Sequence, residues 1–138
     1  METFVIEKDI TVFLVPASSV PAGIAAAHEK LHALIPFSEN RRYFGLSRPN
    51  RTGMIEYFAA AEELSPGEGK SLNCTNFTLK KGAYACIQLK DYNKDPQQIS
   101  KAFEKLLQHP ELDPQGYCLE WYTNEKEMKC LVGLSSKK

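Results

Sequence analysis

Two short stretches of the chain hold residues that could do chemistry. The first, His28-Glu29-Lys30-Leu31-His32, matches the H-E-x-x-H pattern. On a helix, two histidines one turn apart can bind zinc while the glutamate between them activates a metal-bound water. A catalytic zinc needs a third protein ligand, and the longer pattern that supplies one fails here, with Ile35 at its glycine position and Ser38 at its third histidine position. Glu39 and Glu56 are acids at hand, but the spacing points to neither. His28 also shares the helical stripe of Ile24, Leu31 and Ile35, which predicts a partly buried helix residue with His32 beside it toward solvent. A zinc hydrolase through His28, Glu29 and His32 is thus the weakest reading, and no metal or cofactor is expected.

The second stretch is Cys118-Leu119-Glu120-Trp121-Tyr122, where a carboxylate sits in mid-strand among large apolar and aromatic residues. Acids are disfavoured in strands, so the position asks for a reason. Alternation places Cys118, Glu120 and Tyr122 on one face and Leu119 and Trp121 on the other. If helices cover the Leu119 and Trp121 face, Glu120 points into the open one. There it is either a solvated strand acid or the centre of a binding groove.

The elements that must position these residues can be read from periodicity and turn residues. Ile10 to Val15 reads as a strand ended by Pro16, and a helix follows from Pro21 with Ile24, Ala27, Leu31, Leu34 and Ile35 on one stripe, stopped by Pro36. Arg42 to Ser47 and Ile55 to Ala61 read as strands joined by a turn at Arg48-Pro49-Asn50 and Gly53. Pro66, Gly67 and Gly69 mark the clearest loop. Beyond it, Asn73 to Leu79 and Ala83 to Lys90 suggest a hairpin around Lys81-Gly82. A second helix starts at Asp95-Pro96, with Asp95 as cap and Gln98 completing a capping box, and carries the stripe Ile99, Ala102, Phe103, Leu106 and Leu107. Tyr117 to Thr123 and Met128 to Leu134 are the last strands, separated by the polar turn Asn124 to Glu127.

Strand, helix, strand, strand therefore occurs twice, about residues 10–65 and 73–134, in what reads as a single domain over 1–138. The expected fold is α+β: two such units pair into one antiparallel sheet with both helices on one face and a ligand groove on the other.

Composition narrows the function classes. Hydrophobic residues make up 43% and charged residues 25%, which suits a soluble globular domain and argues against disorder. Seventeen basic residues balance seventeen acidic ones, so no general positive field favours DNA or an anionic membrane, although Arg41, Arg42, Arg48 and Arg51 could form a local basic patch. The first sixteen residues carry Glu2, Glu7 and Asp9 and no long apolar run, so neither a signal peptide nor a membrane anchor is expected, and the protein reads as cytoplasmic. Cys74, Cys86, Cys118 and Cys130 are far apart and read as reduced thiols acting as small hydrophobes.

The segment Gly116 to Tyr122 resembles the Glu-x-Tyr strand motif of GyrI-like small-molecule effector-binding domains, the fold also used by multidrug-responsive transcription activators. Tyr43-Phe44-Gly45-Leu46 is similar to that family's aromatic-Gly strand, Glu56 to Ala60 to its next strand, and Leu79 to Ala85 to its central hairpin, so the resemblance spans about residues 10 to 134. It implies a groove for lipophilic or cationic aromatic small molecules around a central glutamate, here Glu120. Tyr57 and Tyr122 match the motif's aromatic positions, and Tyr43 or Phe44 would complete a wall. The chain departs from the family at Asp91-Tyr92-Asn93, where many relatives have Gly, and at Gly133-Leu134, where many have Pro. With no helix-turn-helix expected ahead of Ile10, direct DNA binding is not expected. The resemblance leaves a hydrolase as an alternative, since some family members open the cyclopropane rings of toxic natural products, with Glu120 then a general base. A regulatory role by protein contact, as in gyrase inhibition, is the third.

Overall fold

The computed structural model describes residues 1–95, 97–124 and 126–135. Pro96, expected at the first helical position, and Glu125, inside the expected polar turn, lie outside the described residues. Eight strands and three helices follow one another as β1 (Glu2–Ile6), β2 (Ile10–Pro16), α1 (Ile24–Leu34), β3 (Tyr43–Pro49), β4 (Ile55–Glu62), α2 (Glu68–Ser71), β5 (Thr75–Leu79), β6 (Gly82–Lys90), α3 (Gln97–Leu106), β7 (Cys118–Tyr122) and β8 (Glu127–Gly133).

All eight strands join one antiparallel sheet in the order β1-β6-β8-β7-β3-β4-β2-β5. Exchanging the first four strands with the last four gives the same order read backwards, so an approximate two-fold axis runs between β3 and β7. The fold is α+β, with α1 packed on β2 and β4 and α3 on β6 and β8.

Local chemistry explains the ends of these elements. Between β3 and β4 the Asn50 side-chain oxygen accepts the amides of Thr52 and Met54 at 2.9 and 3.1 Å, and Gly53 supplies the left-handed residue at φ +84°. Asp95 caps α3 by accepting the Gln97 amide at 3.2 Å. The Pro66 to Gly69 loop closes into the single turn α2. It is tied down by the buried Arg41 guanidinium, which donates to both Glu68 carboxylate oxygens at 2.8 and 2.9 Å and to the Glu62 carbonyl at 2.8 Å.

One expected hairpin does not form. β5 and β6 lie toward opposite ends of the strand order, β5 pairing with β2 and β6 with β1 and β8. The chain through Lys80 and Lys81 crosses between the two ends. The β1–β2 connection crosses beside it, and the Lys81 amide donates to Asp9 Oδ1 at 2.8 Å. These paired crossings curl the sheet. They also recruit β1, an edge strand outside the two expected strand-helix-strand-strand units that places Ile6 in the interior and Phe4 at its margin.

Curling gives the sheet two buried faces. On the helix face, Phe13, Val15, Ala59 and Ala61 pack on Ala27, Leu31 and Ile35 of the first helical segment, and Ala85, Met128, Cys130 and Val132 pack on Ala102 and Leu106 of α3. Full burial of a side chain such as Leu31 contributes roughly 1.5 to 3 kcal/mol. On the other face, Val12, Leu14, Phe44, Leu46, Ala60, Leu119 and Leu131 bury one another, with Trp121 and Phe4 at the margin. The Leu119 and Trp121 face is therefore not the one the helices cover. Glu120 points to the helix side, and the groove expected on the helix-free face is replaced there by a second core.

Candidate functional site

α1 and α3 each sit over one half of the sheet and leave the central seam between β3 and β7 in the gap between them. Side chains on this face come from paired positions: Tyr43 opposite Tyr122, Gly45 opposite Glu120, and Ser47 opposite both Cys118 and Tyr57. Strand alternation thus collects one carboxylate and three tyrosines on a single strip.

Glu120 is half-buried and organises the strip. Its Oε1 accepts hydrogen bonds from the Tyr57 hydroxyl at 2.7 Å and the Tyr122 hydroxyl at 2.5 Å. His28 Nε2 lies 2.7 Å from the Tyr57 oxygen. Because the single Tyr57 proton goes to Glu120, Nε2 must be the protonated ring nitrogen and donate to Tyr57. The result is a chain from α1 through β4 to β7. Oε2 makes no hydrogen bond among the described residues, and no lysine or arginine among them pairs with Glu120. The carboxylate is held by one oxygen and open at the other.

Electrostatics keep the surroundings uncharged. Burial, reinforced by His32, lowers the His28 imidazole to about 4, so the ring is neutral at ordinary pH. Burial and the neighbouring Glu120 push the Tyr57 and Tyr122 hydroxyls well above the ordinary phenol range, which keeps both as donors. Cys130, across the ladder from Glu120, is raised to about 12 by burial first and by Glu120 second. It is an inert thiol.

Gly45 makes the close approach possible. A methyl group at this position would overlap the Tyr57 hydroxyl and the Glu120 carboxylate, so the pair occupies the space that a side chain on β3 would fill.

Beside this cluster opens a cavity of about 700 Å³ bordered by His28, Phe37, Tyr43, Tyr92 and Tyr122, with Glu39 at its edge. Its walls combine these rings with polar side chains from Ser38, Thr123, Asn124 and Arg41, the last already paired with Glu68. Phe37 stacks on Tyr43 with ring centres 5.6 Å apart and planes within 11°, and Tyr92 lies 5.9 Å from Tyr122 on the other side. The His28 ring meets Tyr122 edge-on at 5.4 Å.

The structure brings Glu120, Tyr57 and Tyr122 into direct contact and sets Tyr43 in the adjoining wall. Phe44 is not part of it: alternation turns its ring to the opposite face, fully buried at 5.2 Å from Trp121. His28, Gly45 and Tyr92 join the site without having been assigned to it. The first two lie inside motifs of the sequence, and Tyr92, in the connection after β6, lies in the Asp91-Tyr92-Asn93 stretch where the chain departs from the family pattern. His28 binds Tyr57 while the exposed His32 packs on the Tyr43 ring at 5.0 Å, and no group of three or more His, Cys, Asp and Glu side chains among the described residues is arranged to hold a metal.

The low His28 value predicts a pH effect. Below the ordinary imidazole value of about 6.5, the unfolded chain takes up a proton that native His28 refuses, so stability present above that pH is lost progressively down to about 4. The loss is roughly 2 kcal/mol after allowing for partial exposure. His28→Gln retains a donor toward Tyr57 but does not titrate. Urea unfolding of both proteins across this window should show a shallower decline for the variant; parallel declines would show that His28 titrates normally.

No protein-family model and no curated protein sequence matches the chain. Solved structures do match. An integron cassette protein from the mobile metagenome of Vibrio cholerae superposes with a TM-score of 0.73 at 14% identity, over 97% of this chain and 95% of the other. SAV2435, solved bound to tetraphenylphosphonium, superposes with a TM-score of 0.72 at 12% identity, over 99% of this chain and 95% of its own. The fold is shared. A Staphylococcus aureus MU50 protein named for bacterial transcription regulation matches with a TM-score of 0.67 at 11% identity over 99% of both chains. Among the described residues no helix is long and apolar enough to cross a membrane.

Proposed function

We propose that this chain is a GyrI-like binding domain that holds a lipophilic aromatic cation in the cavity beside α1 that His28 and Tyr122 line, with Glu120, hydrogen-bonded to Tyr122, as its counter-charge. The observation that carries the reading is the half-satisfied carboxylate: Oε1 is fixed by two tyrosine hydroxyls, while Oε2 has neither hydrogen bond nor cationic partner among the described residues. A carboxylate so placed has lost water that a bound cation replaces in part. Tyr43, Tyr92 and Tyr122 add ring faces, each contributing roughly 0.5 to 2 kcal/mol to a desolvated cation. A cavity of about 700 Å³ is within the range of drug-sized sites. The tetraphenylphosphonium carried by SAV2435 belongs to the same chemical class as the proposed ligand.

The same three groups, a carboxylate and two protonated phenols, would also serve a hydrolase. Calorimetric titration with tetraphenylphosphonium, followed by mass spectrometry after incubation with a cyclopropane electrophile, tests both. We expect saturable binding at one site per chain, with the electrophile returned unchanged. A product heavier by one water would convert the reading to a hydrolase, and absence of cation binding would end it.

A further inference from the structure

A second cavity, about 730 Å³, lies at the end of the curled sheet where β5 passes into β6 and the chain enters β7. Its charge is opposite to that expected near Glu120. Arg48, Lys80 and Lys81 line it, against one carboxylate, Asp113, whose Oδ1 already accepts the Gln115 amide at 2.9 Å.

Arg48 is the informative residue. Its cross-strand partner is Glu56, the acid that would ordinarily neutralise it, yet the two form no ion pair. The guanidinium instead lies over the rings of Phe77 at 5.1 Å and Phe58 at 5.8 Å. Arg41 and Arg42, by contrast, are each paired with a glutamate. Two aromatic faces thus hold Arg48 in place without consuming its charge, and the planar fork keeps donors for a carboxylate, sulfonate or phosphate. Lys80 and Lys81 are exposed beside it, and neither side chain forms an ion pair among the described residues.

The remaining wall is aromatic and hydrogen-bonded internally. The Tyr84 hydroxyl donates to the Lys80 carbonyl at 2.6 Å, so the Tyr117 hydroxyl donates to Tyr84 at 2.8 Å and accepts the Lys80 amide at 3.0 Å. This network fixes the crossing that carries both lysines. It leaves ring surface, not hydroxyl donors, toward a ligand.

From this arrangement we infer that the chain has a second ligand site, for small aromatic anions, in which Arg48 and Lys81 take the acidic group and Phe77 and Tyr117 the ring. The site is separate from the Glu120 cluster and does not depend on what that cluster binds.

The test titrates the full chain with 8-anilinonaphthalene-1-sulfonate, followed by fluorescence, with inorganic sulfate as a competitor that has charge but no ring. The wild type should bind one equivalent that equimolar sulfate does not displace. Arg48→Gln, which keeps most of the length and removes the charge, should weaken binding at least tenfold, and Lys81→Gln several-fold. Glu120→Gln should leave it unchanged. Far-ultraviolet circular dichroism checks that each variant is folded, and Lys81→Gln, on an exposed connection, keeps the test decisive if Arg48→Gln is not. Unchanged affinity in both charge variants, a loss in Glu120→Gln, or displacement of the dye by tetraphenylphosphonium would overturn the inference.

Discussion

Replacing Glu120 by Gln is expected to weaken methyltriphenylphosphonium ten- to hundredfold while leaving triphenylphosphine oxide, a neutral molecule of nearly the same shape, close to its original affinity. The range corresponds to about 1.4 to 2.8 kcal/mol, the scale of a close contact to a charged group. The geometry favours survival of the fold. Oε1 already serves as acceptor for Tyr57 and Tyr122, and a glutamine oxygen can take the same two hydrogen bonds, so the chain from His28 to Tyr122 persists. What changes is the open side, where a charged Oε2 becomes a neutral amide nitrogen. Isothermal titration with the matched pair isolates that difference. Equal losses for both ligands would mean that Glu120 acts through shape, and no loss for either would move the site away from β7.

Much of this arrangement was legible in single strands, and the parts that were not have a common cause. Alternation in Cys118 to Tyr122 correctly separated Glu120 and Tyr122 from Leu119 and Trp121, because a strand fixes side-chain faces locally. It could not say which face the helices take. In β2 four consecutive residues, Val12 to Val15, are buried, a pattern produced only when both faces are covered, and here the second cover is the sheet's own curl. A large apolar side chain such as Trp121 therefore did not identify the helix side.

The missed crossing has the same origin. Lys81-Gly82 has the residues of a tight reversal, and Gly82 does adopt a positive φ of 140°. Whether the chain then pairs with the strand it has left or runs to the far end of the sheet depends on contacts distant in sequence, such as Lys81 with Asp9. β1 became a strand through the same long-range geometry, since among the described residues it pairs with β6 alone. His28 illustrates a different limit. Its motif was recognised for the chemistry it would do with zinc, whereas its actual partner, Tyr57, is 29 positions away on a strand that no local spacing connects to it.

Gly45→Ala should disturb both the fold and the site. In a strand interior this substitution ordinarily stabilises, by roughly 0.4 to 1 kcal/mol, because alanine has less freedom to lose on folding. Here the sign should reverse. The added carbon would overlap both the Tyr57 hydroxyl and the Glu120 carboxylate, so one or both must leave their place in the hydrogen-bonded chain. Tyr57 is buried with its hydroxyl held by His28, Glu120 is anchored by two tyrosines, and β3 is paired on both sides so that its backbone cannot shift without breaking a ladder. Overpacking of this kind costs about 2 to 3 kcal/mol, and displacement of the carboxylate should reduce cation affinity at least a hundredfold. A double variant separates the two causes. Adding Tyr57→Phe removes one overlapped oxygen, so it should recover part of the stability lost in Gly45→Ala while failing to restore binding, giving a favourable coupling in unfolding but not in affinity. Urea denaturation and calorimetry on the four proteins of the cycle measure both. A Gly45→Ala protein as stable as the wild type, with its cation affinity intact, would show that Tyr57 and Glu120 do not share the space above β3.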